Sequence, residues 1–309
     1  MLLSLARSIE GVCRRECFLP SRSALIACAA MPPRKWFLAL LACFVASGEA
    51  SIFAADNAKP ADDAKPRVWI FNGTPGDDEH HAFYETNLAK LKKTFTERFG
   101  IPRERITVLY GPKEAGYDGP CTREALLGEI SKAVSATREA SPVWLIFQGH
   151  ANRIPGGANF NLPGRDVTAR EIGEALKPAA ANARIVAIAT TTCAEAFVRP
   201  LSAPGRMIIA ATTPADPENE TEFPEALATA LESAGTDSNR DGTVSVAELF
   251  LACHAHVQQI YGRGGYMIKE HAQLDGNGDG RATQRPSPAD AEPAATVGLR
   301  IAQPEKKFE

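Results

Sequence analysis

Two stretches decide the reading of this chain: Val143-Trp144-Leu145-Ile146-Phe147-Gln148-Gly149-His150 and Ile185-Val186-Ala187-Ile188-Ala189-Thr190-Thr191-Thr192-Cys193. Each is a short apolar run that stops at a side chain able to do acid–base or nucleophilic chemistry. Continuous apolar runs of this length are expected of strands buried on both faces. In a parallel α/β sheet the carboxyl ends of the strands are where active sites assemble. A histidine and a cysteine delivered this way form a candidate base–nucleophile pair, and the reaction they suggest is thiolate attack on a carbonyl.

Working outward, further strands are expected at Arg67–Asn72, Ile106–Tyr110 and Arg206–Ala211, beside those at Pro142–Phe147 and Ile185–Ala189. Helical apolar spacing runs from Glu79 to Phe99 (Phe83, Leu88, Leu91, Phe95) and stops at Gly100. Thr122 is a candidate N-cap for a helix to Arg138. Thr168 caps one to Leu176 with Glu171 at capping-box spacing, a short helix starts at Ala194, and another covers Phe223–Ser233. Strands alternating with helices predict an α/β fold with a mostly parallel sheet covered on both faces. The stretch between His150 and Thr168 reads as a loop rich in glycine and proline. Pro286-Ser-Pro-Ala-Asp-Ala-Glu-Pro-Ala-Ala reads as a linker, with Thr296–Ile301 as a last strand.

The 309 residues are 44% hydrophobic and 23% charged, a balance that supports one sizeable core. A net charge of −3 and the lack of a basic stripe with interleaved aromatics exclude a nucleic-acid partner. Met31-Pro-Pro-Arg-Lys precedes an apolar run, Trp36–Val45, followed by small residues at Gly48, Ala50, Ala54 and Ala55. That is the layout of a secretory signal, so residues 31–55 are expected to direct export to the periplasm or the medium. The run is too short to span a bilayer, and no transmembrane segment is expected in the mature chain. Leu40-Leu41-Ala42-Cys43 offers the alternative of a lipoprotein anchored at Cys43. Residues 1–30 read as a mis-assigned leader ahead of Met31, and 56–66 as a polar linker. Four of seven cysteines fall in this region, leaving Cys121, Cys193 and Cys253. Three thiols in an exported chain make no disulfide framework, and Cys193 is the candidate for the free, reactive one.

The strand ending Gly149-His150-Ala151, the strand ending Thr192-Cys193, and Ala211-Thr212-Thr213-Pro214-Ala215-Asp216-Pro217 after the fifth strand together resemble the legumain-like branch of the caspase-fold cysteine peptidases. The resemblance covers residues 67–233. It implies a caspase-like fold and hydrolysis of a peptide or protein substrate, with Cys193 as nucleophile and His150 as general base and acid. It also implies an oxyanion hole from the backbone N–H groups of Ala151 and Cys193, donors that meet charge appearing only in the transition state. The substrate pocket would draw on Asp77, Asp78, Glu79, His80, Thr212 and Thr213. The chain departs from the family at Ala151, where the family has glycine, and at Glu195, whose charge raises the pKa of a nearby thiol. An acidic pocket would favour a basic residue ahead of the cleaved bond. The alternatives are a non-catalytic, calcium-binding relative of the same fold and a ligase that resolves the acyl-enzyme with an amine.

Asp237-Ser-Asn239-Arg-Asp241-Gly242-Thr243-Val244-Ser245-Val-Ala-Glu248 matches an EF-hand loop. Oxygen ligands stand at the first, third, fifth and twelfth places, glycine at the sixth, and the Thr243 carbonyl at the seventh. Helices are expected on both sides, Phe223–Ser233 and Val246–Tyr261. Asp275-Gly-Asn277-Gly-Asp279-Gly-Arg281 begins a second loop that lacks the closing glutamate, because Pro286 stands there. The expected cofactor is Ca2+, acting as a structural clamp, with residues 234–285 as an EF-hand-type segment and 286–309 as a tail.

Overall fold

The computed structural model describes residues 65–112, 116–137 and 141–303. The leader, the export signal, Cys43 and most of the linker lie outside the described residues. In chain order come β1 (Arg67–Asn72), α1 (Asp78–Glu97), β2 (Ile106–Tyr110), β3 (Gly119–Pro120) and α2 (Arg123–Ser135). Next are β4 (Val143–Gln148), the short strands β5 (Ala151–Ile154), β6 (Gly157–Phe160) and β7 (Val167–Thr168), and α3 (Ala169–Leu176). Then come β8 (Ile185–Ala189), α4 (Glu195–Leu201), β9 (Arg206–Ala210) and α5 (Phe223–Glu232). The rest is β10 (Thr243–Ser245), α6 (Val246–Gly264), β11 (Gln273–Asp275), α7 (Pro288–Ala295) and β12 (Gly298–Arg300).

A seven-stranded sheet runs in the order β11-β9-β8-β4-β1-β2-β3, parallel throughout except for β11. The chain moves from β1 one way to β2, then the other way through β4, β8 and β9. Right-handed crossovers therefore put α1 on one face and α2, α3 and α4 on the other. The packing agrees: α1 lies on α5 and α5 on α6, while α2 meets α3 and α3 meets α4. Every residue of β4, β8 and β9 is buried, as a strand covered on both faces requires. Phe71 stacks on Phe147 with centroids 5.3 Å apart, and Trp144 is wholly buried. Side chains of this size contribute about 1.5–3 kcal/mol each on leaving water.

Two regions differ from expectation. The loop after His150 is a small antiparallel sheet, β5-β6-β7, turned at Pro155-Gly156. The residues read as a linker form α7, and the strand expected at Thr296–Ile301 follows as β12. Pro288 sits in the first turn of α7, where a missing N–H costs nothing. None of the described helices is long and apolar enough to cross a membrane.

Candidate active site

The two adjacent strands β1 and β4 send their connections in opposite directions, which opens a crevice beyond their carboxyl ends. Gln148 and Asn72 close the bottom of it: Gln148 Nε2 donates to Asn72 Oδ1 at 2.8 Å and to the Tyr84 carbonyl at 3.2 Å. Gly149 follows with φ 129°, and a Cβ there would stand 3.0 Å from the Gly73 amide. Only glycine permits both the turn and the close approach.

That turn presents His150. Its Nδ1 lies 2.5 Å from Glu220 Oε1 and its Nε2 lies 2.5 Å from the Pro75 carbonyl oxygen. Both ring nitrogens face acceptors, and only the doubly protonated ring can donate to both. The Glu220 hydrogen bond raises the ring's pKa; burial opposes it, and the Pro75 carbonyl and the Glu220 charge add to the rise. The neighbouring His80 has its Nδ1 2.8 Å from Asp77 Oδ1, and the two rings meet edge to face at 4.9 Å.

Cys193 follows β8, the strand next to β4. It has φ 51° at the turn into α4 and is 2% exposed. A left-handed cysteine is strained, and such strain gathers at functional sites. Thr192 ties this turn to the histidine turn: its Oγ1 accepts from the Ala151 N–H at 3.0 Å and donates to the Ala151 carbonyl at 2.5 Å. The Cys193 thiol is pushed up to about 11, first by burial, then by the Glu218 charge; Arg153 opposes this, while Glu195 and a hydrogen bond with Glu218 add to it. Arg153 holds both carboxylates, with Nε 2.9 Å from Glu218 and an Nη 2.7 Å from Glu195.

The folded chain thus joins the His150 and Cys193 turns, and one segment sets an acid on the ring, Glu220, and carries another, Glu218, whose charge raises the thiol pKa. Glu218, Glu220, Arg153 and the Pro75 carbonyl were missed by sequence reasoning. The acids sit in a proline- and acid-rich turn that reads as a solvated loop. The expected oxyanion donor Ala151 N–H is engaged by Thr192.

The expected pocket residues divide. Asp77 is the N-cap of α1, accepting from the His80 N–H at 2.9 Å, with Asp78 and Glu79 in the first turn. Glu79 and His80 line a cleft with Phe83, Glu220, Thr221 and Glu222. Thr212 instead donates to Glu195 at 2.8 Å, and the Thr213 N–H donates to Asp216 at 2.7 Å.

The first acidic loop is organised by its own backbone. Asp237 accepts from the Asp241 and Gly242 N–H groups, each at 3.1 Å, and Asn239 accepts from Asp241 at 2.9 Å. Arg240 and Gly242 take φ 60° and 84°, the sharp turn the glycine predicts. Glu248 forms a capping box with Ser245 and also accepts from the Ser238 N–H at 3.0 Å. Burial alone would raise its pKa, but the bonds from Ser245, Ser238 and Asn239 outweigh it and lower the pKa. The donor set is all oxygen, which fits a hard cation such as calcium.

The second loop does not pair with the first. β10 pairs with β12, whereas β11, which leads into the second loop, pairs with β9. Asp275 accepts from the Gly278 and Gly280 N–H groups at 2.7 and 2.9 Å, and Asp279 from Arg281 at 2.9 Å. Asp290, in the first turn of α7, reaches this loop from beyond the twelfth place, accepting from the Gly276 N–H at 3.3 Å. Sequence spacing hides it, because four extra residues precede the helix. No family model matches this chain, and no curated protein matches it.

Proposed function

We propose that the chain is an exported cysteine hydrolase of the legumain-like, caspase-fold type, cleaving an amide bond in a peptide or protein. The observation that carries this reading is the arrival of His150 and Cys193 at the carboxyl ends of neighbouring parallel strands, their turns joined by Ala151 and Thr192. The mostly parallel sheet with helices on both faces is compatible with that fold. His150 would take the thiol proton, and the thiolate would add to the substrate carbonyl carbon. The Cys193 N–H would meet the oxyanion. The C–N bond would then break as His150 returns the proton to the leaving amine, and water would cleave the thioester. Glu220 holds the His150 ring and the Glu218 charge helps to keep the thiol protonated, so moving this segment aside would start the cycle. A calcium ion held by Asp237, Asn239, Asp241, the Thr243 carbonyl and Glu248 would stabilise the C-terminal part by mass action. A weaker site would be held by Asp275, Asn277, Asp279 and the Arg281 carbonyl.

A second reading, a non-catalytic calcium-binding relative, is favoured by the thiol at about 11 and by the engaged Ala151 N–H. Fluorogenic peptide turnover and iodoacetamide labelling, on the calcium-loaded full chain, separate the two. The hydrolase reading expects Glu218→Gln to cleave peptides and to label Cys193 several-fold faster than wild type, with cleavage lost on adding Cys193→Ala. No turnover, with Cys193 labelling no faster than Cys121 and Cys253, leaves the second reading.

A further inference from the structure

We infer that His80, His150 and Glu220 form a binding site for a divalent transition-metal ion of the zinc class. Each offers one ligand atom, and these atoms all lie within 4.8 Å of one another. The three come from separate elements that meet at the crevice between β1 and β4: the first turn of α1, the end of β4 and the segment before α5.

What singles this group out is the far side of each side chain. His80 Nδ1 is held by Asp77 at 2.8 Å, which leaves Nε2 as the free donor atom. His150 Nε2 is held by the Pro75 carbonyl at 2.5 Å, which leaves Nδ1. Glu220 Oε2 accepts from the buried Tyr84 hydroxyl at 3.2 Å, which leaves Oε1. Outer partners of this kind fix the tautomer and aim of metal-binding histidines and carboxylates. Two imidazoles and one carboxylate are the donor set of an open zinc site, with the fourth position left for water or a substrate atom. Imidazole nitrogen selects zinc, cobalt or nickel over the calcium that the all-oxygen loops would take.

Glu220 Oε1 lies 2.5 Å from His150 Nδ1, closer than the ~3.3 Å edge of a tetrahedral zinc site with bonds near 2.0–2.1 Å. Metal entry therefore has to push the Glu220 side chain outward. That side chain is 42% exposed and has room to move. The cleft lined by Glu79, Phe83, Thr221 and Glu222 supplies an entry path whose acids attract a cation.

The inference shares His150 with the proposed hydrolase but needs nothing of Cys193. If both hold, the metal occupies the ring that Cys193 needs as its base, so zinc would be a reversible inhibitor of the enzyme.

The test is a Co2+ titration of the full chain with calcium in excess, so that the acidic loops are filled, read by visible absorption. The expected result is d–d absorption of a four-coordinate cobalt ion, bleached by Zn2+, with no near-ultraviolet thiolate-to-cobalt band. Asp77→Asn, which keeps a good helix cap, should weaken binding about 10–100-fold. His80→Ala and Glu220→Gln should weaken it at least as much, with far-ultraviolet circular dichroism checking each fold, and Cys193→Ala should bind as wild type. No d–d absorption in the wild type would overturn the inference, as would binding unchanged in both His80→Ala and Glu220→Gln. A thiolate band that vanishes in Cys193→Ala would overturn it too. Cobalt binding with an inert Cys193 would sink the hydrolase reading alone, and an active Cys193 without cobalt binding would sink the metal site alone.

Discussion

The first acidic loop and the cleft use carboxylates in opposite ways. In the loop, Asp237, Asn239 and Asp241 bond to groups two to five residues away, and Glu248 reaches back ten residues to Ser238. In the cleft, His150 meets Glu220 across 70 residues and Pro75 across 75, and Arg153 meets Glu218 across 65. A site built from near neighbours is encoded in spacing and forms with its own turn. A site built from distant partners exists only when the whole sheet is folded, and its chemistry is set by whichever groups the sheet brings in.

The comparison breaks most directly at Glu248. Glu248→Gln is expected to weaken calcium binding about 100-fold by isothermal titration calorimetry, because it removes a charge and a two-oxygen ligand. Unchanged affinity would mean that the loop is only a polar turn. The distant site is sharpened by pH. With the thiol at about 11, Cys193 alkylation should rise about tenfold per unit from pH 7 to 10, since the thiolate is the nucleophile. A flat profile would reveal a thiolate already formed. Arg153→Ala removes the cation that opposes this rise and leaves Glu195, whose side chain is 6% exposed, with the Thr212 hydroxyl but without its counter-charge. Slower labelling is expected, with a loss of about 2 kcal/mol in urea unfolding.

Glu171 joins the two modes in one residue and carries the smallest expected effect. It accepts from the Thr168 N–H at 2.9 Å, three residues away, and from Arg123 at 2.6 Å, 48 residues away. The Thr168 bonds come first, and with Arg123 they outweigh burial and lower its pKa to about 2. Because the folded pKa lies below the unfolded value, the stabilisation is present above about pH 4.3 and is lost as pH falls through about 2. Glu171→Gln should therefore cost about 1 kcal/mol at pH 7 and little near pH 2, followed by thermal melting. Thr168→Ala and Arg123→Ala divide that cost between the near and the far partner.

The same division explains what could be read in the sequence. Strands β1, β2, β4, β8 and β9 were legible because continuous apolar runs have few alternatives to burial in a parallel sheet. The Thr122 and Thr168 caps and the Asp237 loop were legible because their partners lie a few residues on. The small β5-β6-β7 sheet was not, since its strands are two to four residues long and broken by glycine and proline. Asp290 was hidden by four extra residues, and α7 by prolines that look like linker punctuation until one of them is seen in the first turn. Glu218, Glu220 and Arg153 had no local signal at all. Cys193 and His150 were legible as strand-end residues, whereas the state of the thiol depends on those distant charges.

One short strand has a consequence for solubility. β11 adds only three residues to the sheet, opposite Ala210, Ile209 and Ile208 of β9, and its last residue, Asp275, is held by the second loop and by the Ser202 hydroxyl. Without it, the apolar strand Arg206–Ala210 would end the sheet with a row of unpaired N–H and C=O groups, a template for strand addition by another copy. The C-terminal segment is therefore a hem for the sheet. A chain cut ahead of Gln273 is expected to self-associate, so clumping would be an early sign of C-terminal proteolysis.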